Sequence, residues 1–237
     1  MIQISNLSKK YGKLEVLKAI TLTIDPGKIT AIVGPNGAGK TTIIKCILGL
    51  ITPESGTINV DGEEIKGNYE YRKKIGYMAQ IARFPENLTV SNILNMVKDL
   101  RKERYQKPDE DLIKQFNLYD ELEKKIKNLS GGNTQKVNAT IAFLFSPDFL
   151  ILDEPTASLD PIASSILKDK IKQEKESGKT VILSTHIMAE VEELADDIIF
   201  LLEGEIYYNG TTVGLIDSTG EQKLERAIAR MMEGAKA

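Results

Sequence analysis

The stretch Gly34-Pro35-Asn36-Gly37-Ala38-Gly39-Lys40-Thr41 constrains this chain more than any other. An apolar run over residues 29–33 ends immediately before it, and an amphipathic stretch over 40–50 opens as it closes. A strand that enters a glycine-rich turn and leaves as a helix must pack that helix back on its sheet, so the motif calls for an α/β fold. The glycines let the backbone curl until successive N–H groups face inward, and with the helix N-terminus they form a nest for the β- and γ-phosphates of a nucleotide. Lys40 adds a point charge, and the Thr41 hydroxyl is placed to ligate Mg²⁺. The loop by itself does not choose between a kinase, a GTPase and a transport ATPase.

The rest of the chain has the same alternation. Strand patterns fall at 2–7, 20–24, 57–60, 75–78, 149–152, 180–183, 198–202 and 205–208, and helical spacing at 90–101, 109–116, 132–145, 162–176, 188–195 and 221–232. Runs as apolar as Phe149-Leu150-Ile151-Leu152 predict strands buried on both faces, hence a mainly parallel sheet. Strands near the N-terminus with no helix between them predict an added antiparallel β layer. Residues 86–128 have helical patterns and no convincing strand, which predicts an α-helical subdomain inserted in a single P-loop NTPase domain over 1–237. Residues 221–237 read as a helical tail that docks, with Leu224, Ile228, Met231 and Met232 on one face. The alternating charges at 98–104 and 121–127 read as solvated helix faces.

Composition narrows the function. With 1 His and 1 Cys the chain cannot build a zinc cage of the usual N/S kind or an internal disulfide, which fits a reducing cytosol. A formal net charge of −3 argues against a protein held on nucleic acid by its overall field. No apolar run approaches the ~20 residues that span a bilayer, and the first residues read as a strand, so secretion is not expected.

Asp153-Glu154-Pro155 ends the run at 149–152 abruptly in two carboxylates. The C-terminal end of a buried parallel strand opens on the crevice where open α/β sheets bind ligands. Asp153 is then a candidate to hold Mg²⁺, directly or through water, and Glu154 to orient or deprotonate an attacking water. An isolated Asp-Glu after a strand is ordinarily an acidic turn; the phosphate loop upstream reverses that reading. The single histidine, His186, ends another apolar run in Ser184-Thr185-His186 and so belongs to the same rim.

With Leu129-Ser130-Gly131-Gly132-Asn133 upstream of the acidic pair, the sequence resembles the ATP-binding subunit of ABC transporters over nearly its whole length. The family's markers occur in order: Tyr11 as A-loop, residues 34–42 including Thr42 as Walker A, Gln80 as Q-loop, residues 129–133 as signature, 149–154 as Walker B, Ser158-Leu159-Asp160 as D-loop, and His186 as switch. The resemblance implies ATP and Mg²⁺ as ligands, with Tyr11 against adenine and Thr41, Asp153 and Gln80 near the metal. It places Glu154, His186 and Gln80 at the reaction centre. Ser130, Gly131, Gly132 and Asp160 would serve an ATP held across a dimer interface.

In the family that the sequence resembles, phosphate loop and signature meet only across two subunits, so one of each per chain implies head-to-tail pairing with a second copy or a paralogue, most simply with C2 symmetry. The resemblance further implies a membrane-spanning permease partner, a peripheral place on the inner face of the cell membrane, and no nucleic acid. The permease would dock near 80–90, where Phe84, Pro85 and Leu88 are equally readable as contacts or as local packing. Residues 184–190 and 201–204 look like the ABC-2 export branch that includes the ATPases of nitrous oxide reductase copper maturation. Two departures stand out: Asn133 where Gln is usual in the signature, and Ile141 where a basic residue is common. Alternative readings are a soluble ABC-type ATPase of translation or DNA repair, and a nucleotide-sensing subunit without turnover. No residue identifies a cargo.

Overall fold

A computed structural model describes residues 1–101 and 107–234. Residues 102–106 of the expected helical insertion, and 235–237 of the expected tail, lie outside the described residues.

Two sheets share the core. β1 (Ile2–Tyr11), β2 (Leu14–Ile24), β4 (Ser55–Val60) and β5 (Glu63–Glu64) form an antiparallel sheet in the order β2-β1-β4-β5. The second sheet runs β10-β9-β3-β8-β7-β6, built from β3 (Ile29–Val33), β6 (Ile75–Met78), β7 (Phe149–Asp153), β8 (Thr180–Thr185), β9 (Asp197–Leu202) and β10 (Glu205–Thr211). Its ladders are parallel except for the edge hairpin of β9 and β10.

The continuous apolar runs have a simple cause. Along β7, Leu150 and Leu152 enter one apolar cluster with the helices α4 (Gly131–Phe143), α5 (Pro161–Glu176) and α6 (Met188–Leu194). Phe149 and Ile151 enter the other, against α1 (Lys40–Ile47) and the antiparallel sheet. Side chains alternate faces along a strand, so a strand covered on both faces must be apolar throughout. Between β6 and α4 the chain makes α2 (Val90–Arg101), α3 (Asp111–Gln115) and short 3₁₀ turns at Leu118–Glu121 and Ile126–Asn128. Lys170 of α5 is buried and paired with Asp109 at 2.6 Å and Glu174 at 3.1 Å, which fastens the start of α3 to the core.

Several expected boundaries shift. α1 stops at Ile47, where Gly49 adopts a left-handed φ of 64° and ends the helix before Leu50. β1 and β2 extend into one long hairpin through residues 12–13, with Lys10 opposite Glu15 and Tyr11 opposite Leu14 and with register shifts along the ladder. The expected tail helix is α8 (Leu224–Gly234), and an unexpected helix precedes it: α7 (Thr212–Thr219), capped by Thr211 and ending at Gly220. Leu224 and Ala227 are fully buried against the core, and Met231 and Met232 pack at its edge.

Candidate functional site

The loop after β3 is shaped by steric necessity. A side chain at Gly34 would collide with the Leu201 carbonyl, and one at Gly39, where φ is 110°, would meet the Val16 carbonyl at 2.9 Å. Gly39 therefore turns the chain into α1 with Lys40 as the first helical residue. Lys40 is buried, and its ammonium donates to the carbonyls of Gly34 at 2.7 Å and Pro35 at 3.2 Å. Burial lowers the affinity of Lys40 for its proton, and Glu154 and Asp153 oppose that effect. A cation desolvated against loop carbonyls suits a polyphosphate, whose charge compensates it.

β7 and β8 lie in parallel register with Asp153 opposite Ser184. Asp153 is 1% exposed, and its Oδ1 accepts from Thr41 Oγ1 at 3.4 Å and from Ser184 Oγ in a short hydrogen bond. Carboxylate and hydroxyl oxygens grouped in this way match the preference of a hard cation such as Mg²⁺. Among the described residues there is no group of three or more His, Cys, Asp or Glu able to hold a metal alone. Mg²⁺ is commonly held by one or two carboxylates, with water and substrate phosphates completing its shell, and Asp153 with the Thr41 hydroxyl offers such a position.

Glu154 adopts a left-handed backbone with φ of 50°, a conformation that costs an L-residue about 1–2 kcal/mol. Its N–H donates to the Ser184 carbonyl at 3.0 Å and to Ser184 Oγ at 3.2 Å, which holds the turn. The result swings a buried carboxylate toward the end of β8, where Glu154 Oε2 lies 2.8 Å from His186 Nδ1. The His186 side chain is 54% exposed and the Glu154 side chain 8%, so the pair has one face in the protein and one toward solvent.

The structure thus brings Lys40, Thr41, Asp153, Glu154 and His186 to one rim. Gln80 is exposed in the loop after β6, with its backbone carbonyl held by Gln135. Tyr11 is exposed at the end of β1, with Lys9 Nζ 5.4 Å from its ring centre. Ser130 caps α4, accepting from Asn133 N at 3.1 Å, and Ser130 and Gly131 face solvent. Asp160 caps α5 through Ala163 N at 2.9 Å and pairs with Lys136 at 3.0 Å. Phe84 and Leu88 pack against the core and Pro85 is exposed, so local packing is the better reading for the first two.

Some contributors escaped the sequence reading. Ser184 touches both carboxylate positions, and the signal was its register opposite Asp153. Glu190 of α6 accepts from Thr185 Oγ1 at 3.0 Å and from Thr156 Oγ1 in a short hydrogen bond, tying the strand before His186 to the turn after Glu154. No sequence signal separates that buried carboxylate from the exposed Glu192 and Glu193.

The family model described as ABC transporter matches residues 17–157. The chain belongs to the ABC transporter ATP-binding family. The ABC transporter ATP-binding protein NatA of Bacillus subtilis (strain 168) is 33% identical over 233 residues, covering 94% of this chain and 95% of that relative. A solved ATP-binding subunit of an ABC transporter superposes with a TM-score of 0.89 at 30% identity, covering 98% of this cassette and 99% of that chain. A dimeric bacterial ABC transporter cassette superposes with a TM-score of 0.77 at 26% identity, covering 89% and 98%. The cassette binds ATP and hydrolyses it, as ABC ATPase domains do. No helix among its described residues is long and apolar enough to cross a membrane.

Proposed function

We propose that this cassette is the ATP-hydrolysing subunit of an exporter, pairing head to tail with a second copy and driving a membrane-spanning partner. The observation that carries the catalytic part is the Glu154–His186 pair at 2.8 Å beside the buried Lys40 and Asp153. Lys40, the backbone of 34–39 and Thr42 hold the phosphates, and Tyr11 offers its ring to adenine. Thr41, Asp153 and Gln80 would hold Mg²⁺, which would supply charge neutralisation to the phosphates when bound. Glu154 orients the attacking water and takes its proton, while His186 holds Glu154 and faces the γ-phosphate.

Head-to-tail pairing is supported by the solvent-facing signature. Ser130, Gly131 and Gly132 present a helix N-terminus outward, fit for the phosphates of an ATP held by another copy, and Asp160 lies beside them through Lys136. The solved dimeric cassette is consistent with this arrangement. In the same reading the chain acts as one domain over 1–237, with 86–128 as its helical insertion and 221–237 as its tail. The permease docks on a cavity of about 260 Å³ at the free edge of β6, lined by Leu50, Tyr77, Val97, Arg101 and Ile141. Ile81, Met96 and Leu100 leave exposed apolar surface in the neighbouring segments. Ile141 makes that groove more apolar than the usual basic residue would. This places the cassette on the inner face of the membrane through its partner, and export is supported by the resemblance of 184–190 and 201–204 to the ABC-2 branch.

The test is the Glu154→Gln cassette, whose mass is followed by light scattering with Mg²⁺ and ATP. Turnover should fall on the order of 10²-fold or more, and a dimer should accumulate with ATP and disperse without it. A monomer under all conditions would remove the head-to-tail reading.

A further inference from the structure

Helix α4 carries two buried amides that the reaction itself does not use. Gln135 is 3% exposed and Asn138 6%. Gln135 Nε2 donates to the carbonyls of Gln80 at 3.0 Å and Ala79 at 3.2 Å. Asn138 Nδ2 donates to the Ala79 carbonyl at 2.8 Å and to Gln135 Oε1 at 3.2 Å. Residues 79 and 80 have just left β6, so their carbonyls have lost the sheet as a partner and take their donors from elsewhere. They find them on one helical turn. The same turn holds Lys136, which pairs with Asp160 at the start of α5, and the helix begins at Ser130. One rigid element therefore touches the signature, the loop of Gln80 and the cap of α5.

We propose that Gln135 and Asn138 are positioning residues that couple the two nucleotide sites of the dimer. Through them, the helix whose N-terminus faces the partner's ATP sets the position of the loop that carries Gln80 to the metal of this chain's own ATP. The inference rests on the head-to-tail reading and on Gln80 reaching the metal. A helix does not stretch, so a displacement at Ser130 reaches residue 138 undiminished, and the buried amide bonds pass it to the loop. The bonds are short-ranged and saturate the loop carbonyls, so without them the loop is free to relax away from the metal whatever the signature contacts.

The test uses the full chain carrying Asn138→Ala, Gln135→Ala, and both together. Each neutral hydrogen bond lost should raise the Mg²⁺ concentration for half-maximal ATPase activity by roughly two- to tenfold. The dependence of rate on ATP should become less cooperative, while ATP affinity measured in EDTA stays within about twofold, as expected of residues remote from the phosphates. A purely structural role would scale the rate equally at every Mg²⁺ concentration. An unchanged Mg²⁺ midpoint in the folded variants overturns the proposal. If Gln135→Ala does not fold, Gln135→Met keeps the length of the side chain and removes the donor without adding a charge, with the same expectation. Hydrogen exchange over 79–84 without nucleotide should quicken in the variants and stay constant in α5. If the wild type neither hydrolyses ATP nor dimerises with it, the head-to-tail reading falls, yet this exchange still decides whether α4 holds the loop. Unchanged exchange means it does not.

Discussion

At the scale of the residue, the site is a set of charges placed where sheet strands end. Lys40 is kept against loop carbonyls with its proton affinity lowered by burial, Asp153 is fixed by two hydroxyls, and Glu154 is turned by a left-handed backbone toward His186. His186→Ala leaves the phosphate nest untouched, so ATP affinity should hold within a few-fold while turnover falls on the order of 10²-fold. Steady-state kinetics with a separate nucleotide-binding titration check this, and unchanged turnover would refute the role given to His186. The charged residues of this rim were legible in the sequence because Lys40 closes a glycine-rich loop between strand and helix patterns, while Asp153, Glu154 and His186 follow apolar runs that stop abruptly. Ser184 and Glu190 were not, since a serine in a strand and a glutamate in an acidic helix carry no pattern until register and burial single them out.

At the scale of the element, the helices that present signature and D-loop residues are set by their first turns. Ser130 and Asp160 each lie in extended backbone and cap the helix that follows. Pro161 at the first position of α5 has no N–H to satisfy, which fits it to that place. The bond from the Ala163 N–H, and then Lys136, hold the Asp160 carboxyl below the usual carboxylate range. A group whose folded value is depressed stabilises the fold above its unfolded value and loses that contribution as pH falls through the folded one. Asp160→Ala should therefore melt below wild type at neutral pH, and the gap should close in acid below the carboxylate range. Thermal melts across pH measure it, and a gap independent of pH would argue against the cap. The helix starts expected at 132 and 162 lie one residue from the observed Gly131 and Pro161. Ends were less legible: nothing in the spacing of 40–50 shows that Gly49 turns left-handed, and the short helix α7 ahead of Gly220 was not expected at all.

At the scale of the whole molecule, the parallel sheet, its antiparallel layer and the inserted helices were all legible, because burial on two faces, on one face and on a stripe leave different patterns. The pairing of elements was hidden. That α4 would hold the loop after β6 depends on amides separated from it by more than fifty residues in sequence, and no local period encodes such a contact. The outward-facing signature is the molecular counterpart: in the proposed head-to-tail pairing, an ATP held by Lys40 would find its remaining phosphate donors on another copy. Hydrolysis should then depend on association. Phosphate release by the wild-type cassette, measured per mole of protein over a wide range of protein concentrations at saturating Mg²⁺ and ATP, tests this most directly. Specific activity should rise with concentration and level off as dimers form; a specific activity that is constant down to concentrations where the protein is monomeric would contradict a catalytic site shared between two copies.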